Sequence, residues 1–250
     1  MIISPNEYPQ EEGSLDLIKL RKLLDKDNPL ILEVGANVGS STLEFLQVFP
    51  EARVYCFEPE PRAIALFNQY VQSKNVTLVE TAIGQHNGTI TFHQSDGVAE
   101  LKDWHMSGSI RAPKTVTDIW PSLRFEKQIE VPIMRLDDWA ALSGVEAVDF
   151  IWADVQGAEG DLIAGATNVL SNTKYFYTEY GTSEWYEGQA PLGDICNSLF
   201  DLGHVMLQKF GIDALFVNKN LVDISTLRFP IKQQSPCPCG SGKIYKKCHG

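Results

Sequence analysis

Apolar residues come in short runs along most of the chain, and each run stops at a glycine, an acid or a proline. "LILEV" at 30–34 is followed by Gly35, Asn37 and Gly39, and then by "STLEFLQVF", whose apolar spacing is helical. This is strand, glycine turn, helix. "RVYCFEPEP" predicts a second strand with Glu58 at its end, and "VTLVETAIG" at 76–84 predicts a third. "GTITFHQS" at 88–95 alternates as a strand does. "VDFIWADVQGAEGDLIAGA" at 148–166 reads as a buried strand ending at Asp154, a turn and an amphipathic helix. "KYFYTEYG" at 174–181 is another strand, ending near Glu179, and a helix is expected around 192–202. "HVMLQKF" and "GIDALFVN", within 204–218, predict a terminal hairpin. Strands alternating with helices and closed by a hairpin predict one doubly wound, mostly parallel α/β sheet with an antiparallel terminal strand. The segment 96–128 has little periodicity and is expected to be a loop forming a lid or substrate wall.

Composition narrows the class. A chain of 250 residues with 44% hydrophobic and 21% charged residues can bury a sizeable core as one large domain or two small ones. No apolar run approaches the roughly 20 residues of a membrane span. The start, "MIISPNEYPQEEGS", lacks the basic and apolar stretches of a secretory signal, so a cytoplasmic protein is expected. The formal charge of −11 is uneven: residues 232–250 hold four lysines and no acid, which leaves the body at −15. An acidic body does not grip a phosphate backbone, so no nucleic-acid partner is expected through it.

The turn carries the first candidate chemistry. Dinucleotide sites use three glycines to admit a pyrophosphate. Here Asn37 stands at the middle position and Glu33 precedes the turn, a pattern that suits a ligand with an amino-acid end, S-adenosylmethionine. Either Asn37 or the serines Ser40 and Ser41 can hold its carboxylate, and an acid can face its ammonium or sulfonium. Glu58, nineteen residues after Gly39, can accept hydrogen bonds from both ribose hydroxyls. Ala82 and Ile83 lie where adenine would be covered. The cofactor set is thus Glu33, Gly35, Ala36, Asn37, Gly39, Ser41, Glu58, Pro59, Ala82, Ile83 and Asp154. The plainer alternative is two ordinary buried strands with a capping acid.

The stretches "VGANVGSST", "FEPEP", "AIGQHNGTITF", "MRLDDW" and "DFIWADVQGAEGDLIAGA" resemble the FkbM family of S-adenosylmethionine-dependent methyltransferases. The resemblance implies a Rossmann-like class I methyltransferase fold and O-methylation of a hydroxyl on a sugar, glycan or secondary metabolite. Trp152 and Ala153 depart from it, standing where the family often has a Lys-Ile or similar pair. The sulfonium is already an activated methyl donor, so the protein must align acceptor oxygen, methyl carbon and sulfur, and a base helps. Asp154, at a strand's carboxyl end, and His105, in the 96–128 segment, are the candidates. Trp104 and Trp120 of that segment can stack on a sugar ring or simply pack in the core. A divalent cation between Asp154 and Glu179 is a further possibility that no spacing demands, and Glu159 caps the helix after Asp154.

The tail is different chemistry. Cys237, Cys239, Cys248 and His249 bracket a Gly-Ser-Gly turn, and three thiolates with an imidazole suit tetrahedral zinc. Incidental thiols on a disordered tail are the alternative, and disulfides do not suit a reducing compartment. The stretch "CPCGSGKIYKKCHG" resembles the SEC-C motif at the end of the SecA preprotein translocase ATPase. The resemblance implies those four residues as zinc ligands, and docking to a chaperone or the ribosome. The expected organisation is a methyltransferase domain at 1–228, a linker at 229–235 and the zinc motif at 236–250. Besides an O-methyltransferase with a docking tail, two readings stay open. One is a nicotinamide-dependent oxidoreductase, against which Asn37 speaks. The other is a non-catalytic adapter, against which the intact Glu33, Gly35, Gly39, Glu58 and Asp154 set speaks.

Overall fold

The structure is a computed structural model that describes residues 10–11, 13–98, 103–227 and 243–248. In chain order its strands are β1 (Gln10–Glu11), β2 (Leu30–Val34), β3 (Arg53–Phe57), β4 (Val76–Val79), β5 (Ala82–Ile83), β6 (Gly88–Gly97), β7 (Leu123–Met134), β8 (Val148–Ala153), β9 (Thr173–Glu179), β10 (His204–Phe210) and β11 (Asp213–Asn218). The helices are α1 (Leu17–Leu24), α2 (Ser40–Val48), α3 (Pro61–Tyr70), α4 (Val116–Ile119), α5 (Leu136–Ser143), α6 (Glu159–Gly165), α7 (Thr167–Ser171), α8 (Leu192–Asp201) and α9 (Tyr245–Cys248).

Among the described residues eight strands form the main sheet, in the order β1-β10-β11-β9-β8-β2-β3-β4. Pairing is parallel from β9 through β8, β2 and β3 to β4, while β11 runs antiparallel to both of its neighbours. This is a doubly wound, mostly parallel sheet with its antiparallel last strand inserted between β9 and β10. All five residues of β2 are buried, as expected for a parallel strand covered on both faces. One face packs Leu32, Ile151 and Phe176 against α5 to α8; the other packs Ile31, Val54 and Phe150 against α1 to α3.

Local signals start the helices. Asp16 caps α1 by accepting from the Ile18 and Lys19 N–H groups, and Glu60 caps α3 at Ala63, with Pro61 in the first turn. α2 starts without such a cap: Gly39 precedes it, so its first N–H groups remain for other acceptors.

Two expectations are corrected. The run at 76–84 is not one strand: the chain turns at Thr81, whose N–H bonds back to the Val79 carbonyl, and Ala82–Ile83 leaves the main sheet. There it pairs with β7 in a second, three-stranded sheet of order β5-β7-β6, so 88–95 also lies outside the doubly wound sheet. The segment 96–128 is likewise not all loop, because β6 reaches Gly97 and β7 begins at Leu123. Long antiparallel pairing holds these strands although a register shift between Gln94 and Asp96 blurs their alternation. The terminal hairpin is β10 and β11 as expected.

Candidate active site

Strand register gathers the site. Val34 pairs with both Phe57 and Ala153, and Ala153 pairs with Thr178, so β2, β3, β8 and β9 end at one level. The next residues, Gly35, Glu58 and Asp154, together with Glu179, the last of β9, therefore meet at the carboxyl edge, where doubly wound sheets bind ligands. A cleft there encloses about 1040 Å³ of space, counting its open mouth.

The turn after β2 is built by close backbone approach. Gly35 has φ +86°, and a Cβ on it would stand 1.8 Å from the Asp154 carbonyl oxygen. Asn37 takes the left-handed region at φ +48°. Its backbone N–H donates to Glu58 Oε2 at 2.8 Å, and its Nδ2 donates to the His105 carbonyl at 3.2 Å. Gly39 backs onto Val71 and Phe67, its absent Cβ making room 2.4 Å from the Val71 side chain. Ser40 and Ser41, at the open start of α2, line the cleft.

Glu58 is 4% exposed. Its Oε1 accepts the Glu60 N–H at 2.9 Å as Oε2 accepts that of Asn37, which fixes the carboxyl while leaving each oxygen a lone pair for a ligand. Burial pushes its pKa up to about 7. Glu33 is buried beneath the turn, where the Thr42 hydroxyl donates to it, and burial pushes it up to about 8. It is therefore largely uncharged at neutral pH and is a poor counter-charge for a cation. Ala36, Pro59, Ala82 and Ile83 also line the cleft, the last two with Phe57 and Thr81 forming an apolar slot.

The facing wall descends from the β6–β7 connection as His105, Met106, Gly108 and Ile110. His105 Nδ1 is buried without a partner among the described residues, and burial lowers its pKa, which favours the neutral ring. Trp104 and Trp120 do not line the cleft. Trp104 packs near Val116 and Leu123, as the packing alternative expects, whereas Trp120 is 42% exposed and sits edge-on to Trp185 at 5.1 Å. The wall is fastened from outside: Arg111 Nε donates to Asp161 Oδ2 at 2.6 Å and its Nη1 to the Glu187 carbonyl at 2.8 Å.

Asp154 opens to the cleft but is otherwise enclosed by protein, which raises its pKa. Gln156 lies between the Asp154 and Glu179 carboxyls: its Nε2 donates to Asp154 Oδ1 at 2.7 Å and to Glu179 Oε2 at 2.9 Å. Among the described residues no group of three or more His, Cys, Asp or Glu side chains is placed to hold an ion. Glu159 is buried, with Oε1 accepting the Gly157 N–H at 3.2 Å and Oε2 without a partner among the described residues. The sequence reading missed Gln156, Thr81, Phe92, Met106 and, as a cleft residue, Trp152. Gln156 lay inside the most specific stretch, yet only its backbone conformation aims it. Of the tail ligands, Cys237, Cys239 and His249 lie outside the described residues, and Cys248 is the last residue of α9.

Fixed carboxyl oxygens for a ribose, an apolar slot for a purine and uncapped helix N–H groups for a carboxylate fit S-adenosylmethionine. On a sheet of this order they define an S-adenosylmethionine-dependent methyltransferase. Residues 33–206 match the family described as "Methyltransferase FkbM domain", and the chain belongs to that family. Residues 235–250 match the SEC-C motif. The chain is 46% identical over 178 residues to the 2-O-methyltransferase NoeI of Sinorhizobium fredii, covering 71% of this chain and 73% of that protein. It is 24% identical over 146 residues to Methyltransferase 1 of Beauveria bassiana, covering 56% of this chain and 59% of that protein. A crystal structure of Methyltransferase FkbM from Methylobacillus flagellatus superimposes with a TM-score of 0.49 at 14% identity, over 76% of this chain and 44% of that one. The protein is an S-adenosylmethionine-dependent O-methyltransferase, and the oxidoreductase and adapter readings fall away.

Proposed function

We propose that the enzyme transfers a methyl group to the 2-hydroxyl of an uncharged sugar ring. The lack of a cation carries the reading: the described lining of the cleft includes neither Lys nor Arg to pair with an anion, which disfavours phosphorylated or carboxylated acceptors. The similarity to a 2-O-methyltransferase supports the position on the ring. In this reading Glu58 holds the ribose hydroxyls, Ala82 and Ile83 cover the adenine, and the N–H groups at Ser40 and Ser41 face the carboxylate. The cofactor supplies the activated methyl group. Asp154 accepts the proton of the attacking hydroxyl, with His105 on the facing wall as the second candidate.

The tail completes the proposal. The methyltransferase domain spans 1–228, a linker 229–235 and a zinc motif 236–250, with Cys237, Cys239, Cys248 and His249 as tetrahedral ligands. Reduced thiols suit a cytoplasmic setting. The lysines Lys243, Lys246 and Lys247 suit docking to an acidic protein surface such as a chaperone or ribosomal protein.

The test is a panel of methyl glycosides: neutral, 2-deoxy, uronate and 6-phosphate forms, incubated with S-adenosylmethionine while its demethylated product is measured. Turnover of the neutral form alone is expected. Methylation of the 2-deoxy form would overturn the ring position, and preference for uronate or phosphate would overturn the charge reading.

A further inference from the structure

Gln156 occupies a strained place. It adopts φ +51°, and Gly157 after it has φ +90°, where a Cβ would meet the Tyr186 ring at 2.7 Å. A non-glycine residue keeps such a conformation where the surroundings over-determine it, and here three groups do. The two protons of its amide nitrogen serve Asp154 and Glu179, and its Oε1 lies 3.0 Å from the Tyr186 hydroxyl. That hydroxyl lies also 2.8 Å from the Ser107 carbonyl, on the segment that forms the facing wall. One phenolic proton thus stands between the wall and the amide.

We propose that Gln156 and Tyr186 are positioning residues for methyl transfer: Gln156 holds the Asp154 and Glu179 carboxyl groups as an oriented pair, and Tyr186 ties that pair to the wall at Ser107. This rests on reading the cleft as the methyl-transfer site. The acceptor oxygen gives its proton to Asp154 as it bonds to the methyl carbon, and the electron pair of the broken carbon–sulfur bond stays on sulfur. The amide takes Oδ1 and so leaves Oδ2 as the Asp154 oxygen for that proton. Desolvation opposes the ionisation of Asp154, whereas its hydrogen bonds to Gln156 and Glu179 favour it; the charge of Asp154 in turn raises the facing Glu58, Glu159, Glu179, Asp213, Tyr177 and Tyr186. Two carboxyls bridged by one amide do not both ionise readily, and desolvation, with the charges of Asp154 and Glu159, pushes Glu179 well above the ordinary range. A neutral amide donating to Asp154 favours the charged form there without adding charge.

The test uses the full chain labelled with carboxyl-13C aspartate, in the parent, in Gln156→Met and in Tyr186→Phe, with Asp154→Asn to assign the resonance. In Gln156→Met the Asp154 midpoint should rise by about one pH unit, because a hydrogen bond to the charged form is lost. Tyr186→Phe should move it the same way by less. S-adenosylhomocysteine affinity, read by calorimetry, should stay within about twofold, while kcat on the neutral glycoside falls about tenfold or more and its acid limb moves up with the midpoint. An unmoved midpoint in both variants, or a cofactor-affinity loss with kcat intact, overturns the proposal. If Gln156→Met does not fold, Tyr186→Phe, which removes one oxygen, decides alone. Failure of every glycoside to react would count against the acceptor reading, since the titration needs no acceptor.

Discussion

Glu58 shows what a single residue does here. Its carboxyl satisfies two backbone N–H groups and offers its remaining lone pairs to the cleft. Glu58→Ala should weaken S-adenosylmethionine binding by about 1.5–3 kcal/mol, roughly ten- to a hundredfold, as measured by calorimetry. A pH dependence follows from the same burial. With a pKa near 7 against an ordinary 4.5, the carboxyl is increasingly protonated below neutrality and loses acceptor capacity. Affinity should therefore rise from pH 6 to pH 8, and this step should shrink in Glu58→Ala. An equal step in the variant would assign it to another group.

At the scale of elements, the turn between β2 and α2 depends on one missing side chain. Gly35→Ala would drive a Cβ into the Asp154 carbonyl and force the ends of β2 and β8 apart, in a left-handed conformation that alanine resists. The expected loss is at least about 2 kcal/mol in urea unfolding, with cofactor binding lost as well. Gly39, predicted from sequence as a cofactor contact, also lets α2 seat against α3. Pattern alone identifies a glycine turn, but which glycine faces the ligand depends on what packs behind it. The break at Thr81 has a similar origin: Val76–Val79 and Ala82–Ile83 are both apolar and strand-like, and only pairing partners distinguish their two sheets.

At the scale of the molecule, the two buried faces of the sheet involve residues from Leu15 to Leu227, which gives the body a core of its own. The tail has too few residues for one, so metal binding would supply most of its folding free energy. Zinc is expected at about one ion per chain by elemental analysis. Chelation, or Cys237→Ser with Cys239→Ser, should leave the body's melting temperature and S-adenosylmethionine affinity nearly unchanged. Loss of cofactor affinity on chelation would show instead that the tail belongs to the site.

The sequence by itself determined the parts whose chemistry is local. Strand, turn and helix periods, the acid at the end of β3, the Ala82–Ile83 pair and the zinc-like spacing are each set by neighbours within a few positions. Parallel strands of similar length that start level also end level, which is why Glu58 and Asp154 were legible as partners. Only the tertiary structure decided what closes the cleft. Asn37 meets the His105 carbonyl, Arg111 meets Asp161 and Tyr186 meets Ser107 across long stretches of chain. The left-handed turn at Gln156 then places its amide between two carboxyl groups. Contacts of that kind follow from the packing of a whole second sheet and its connection, and no local period encodes them.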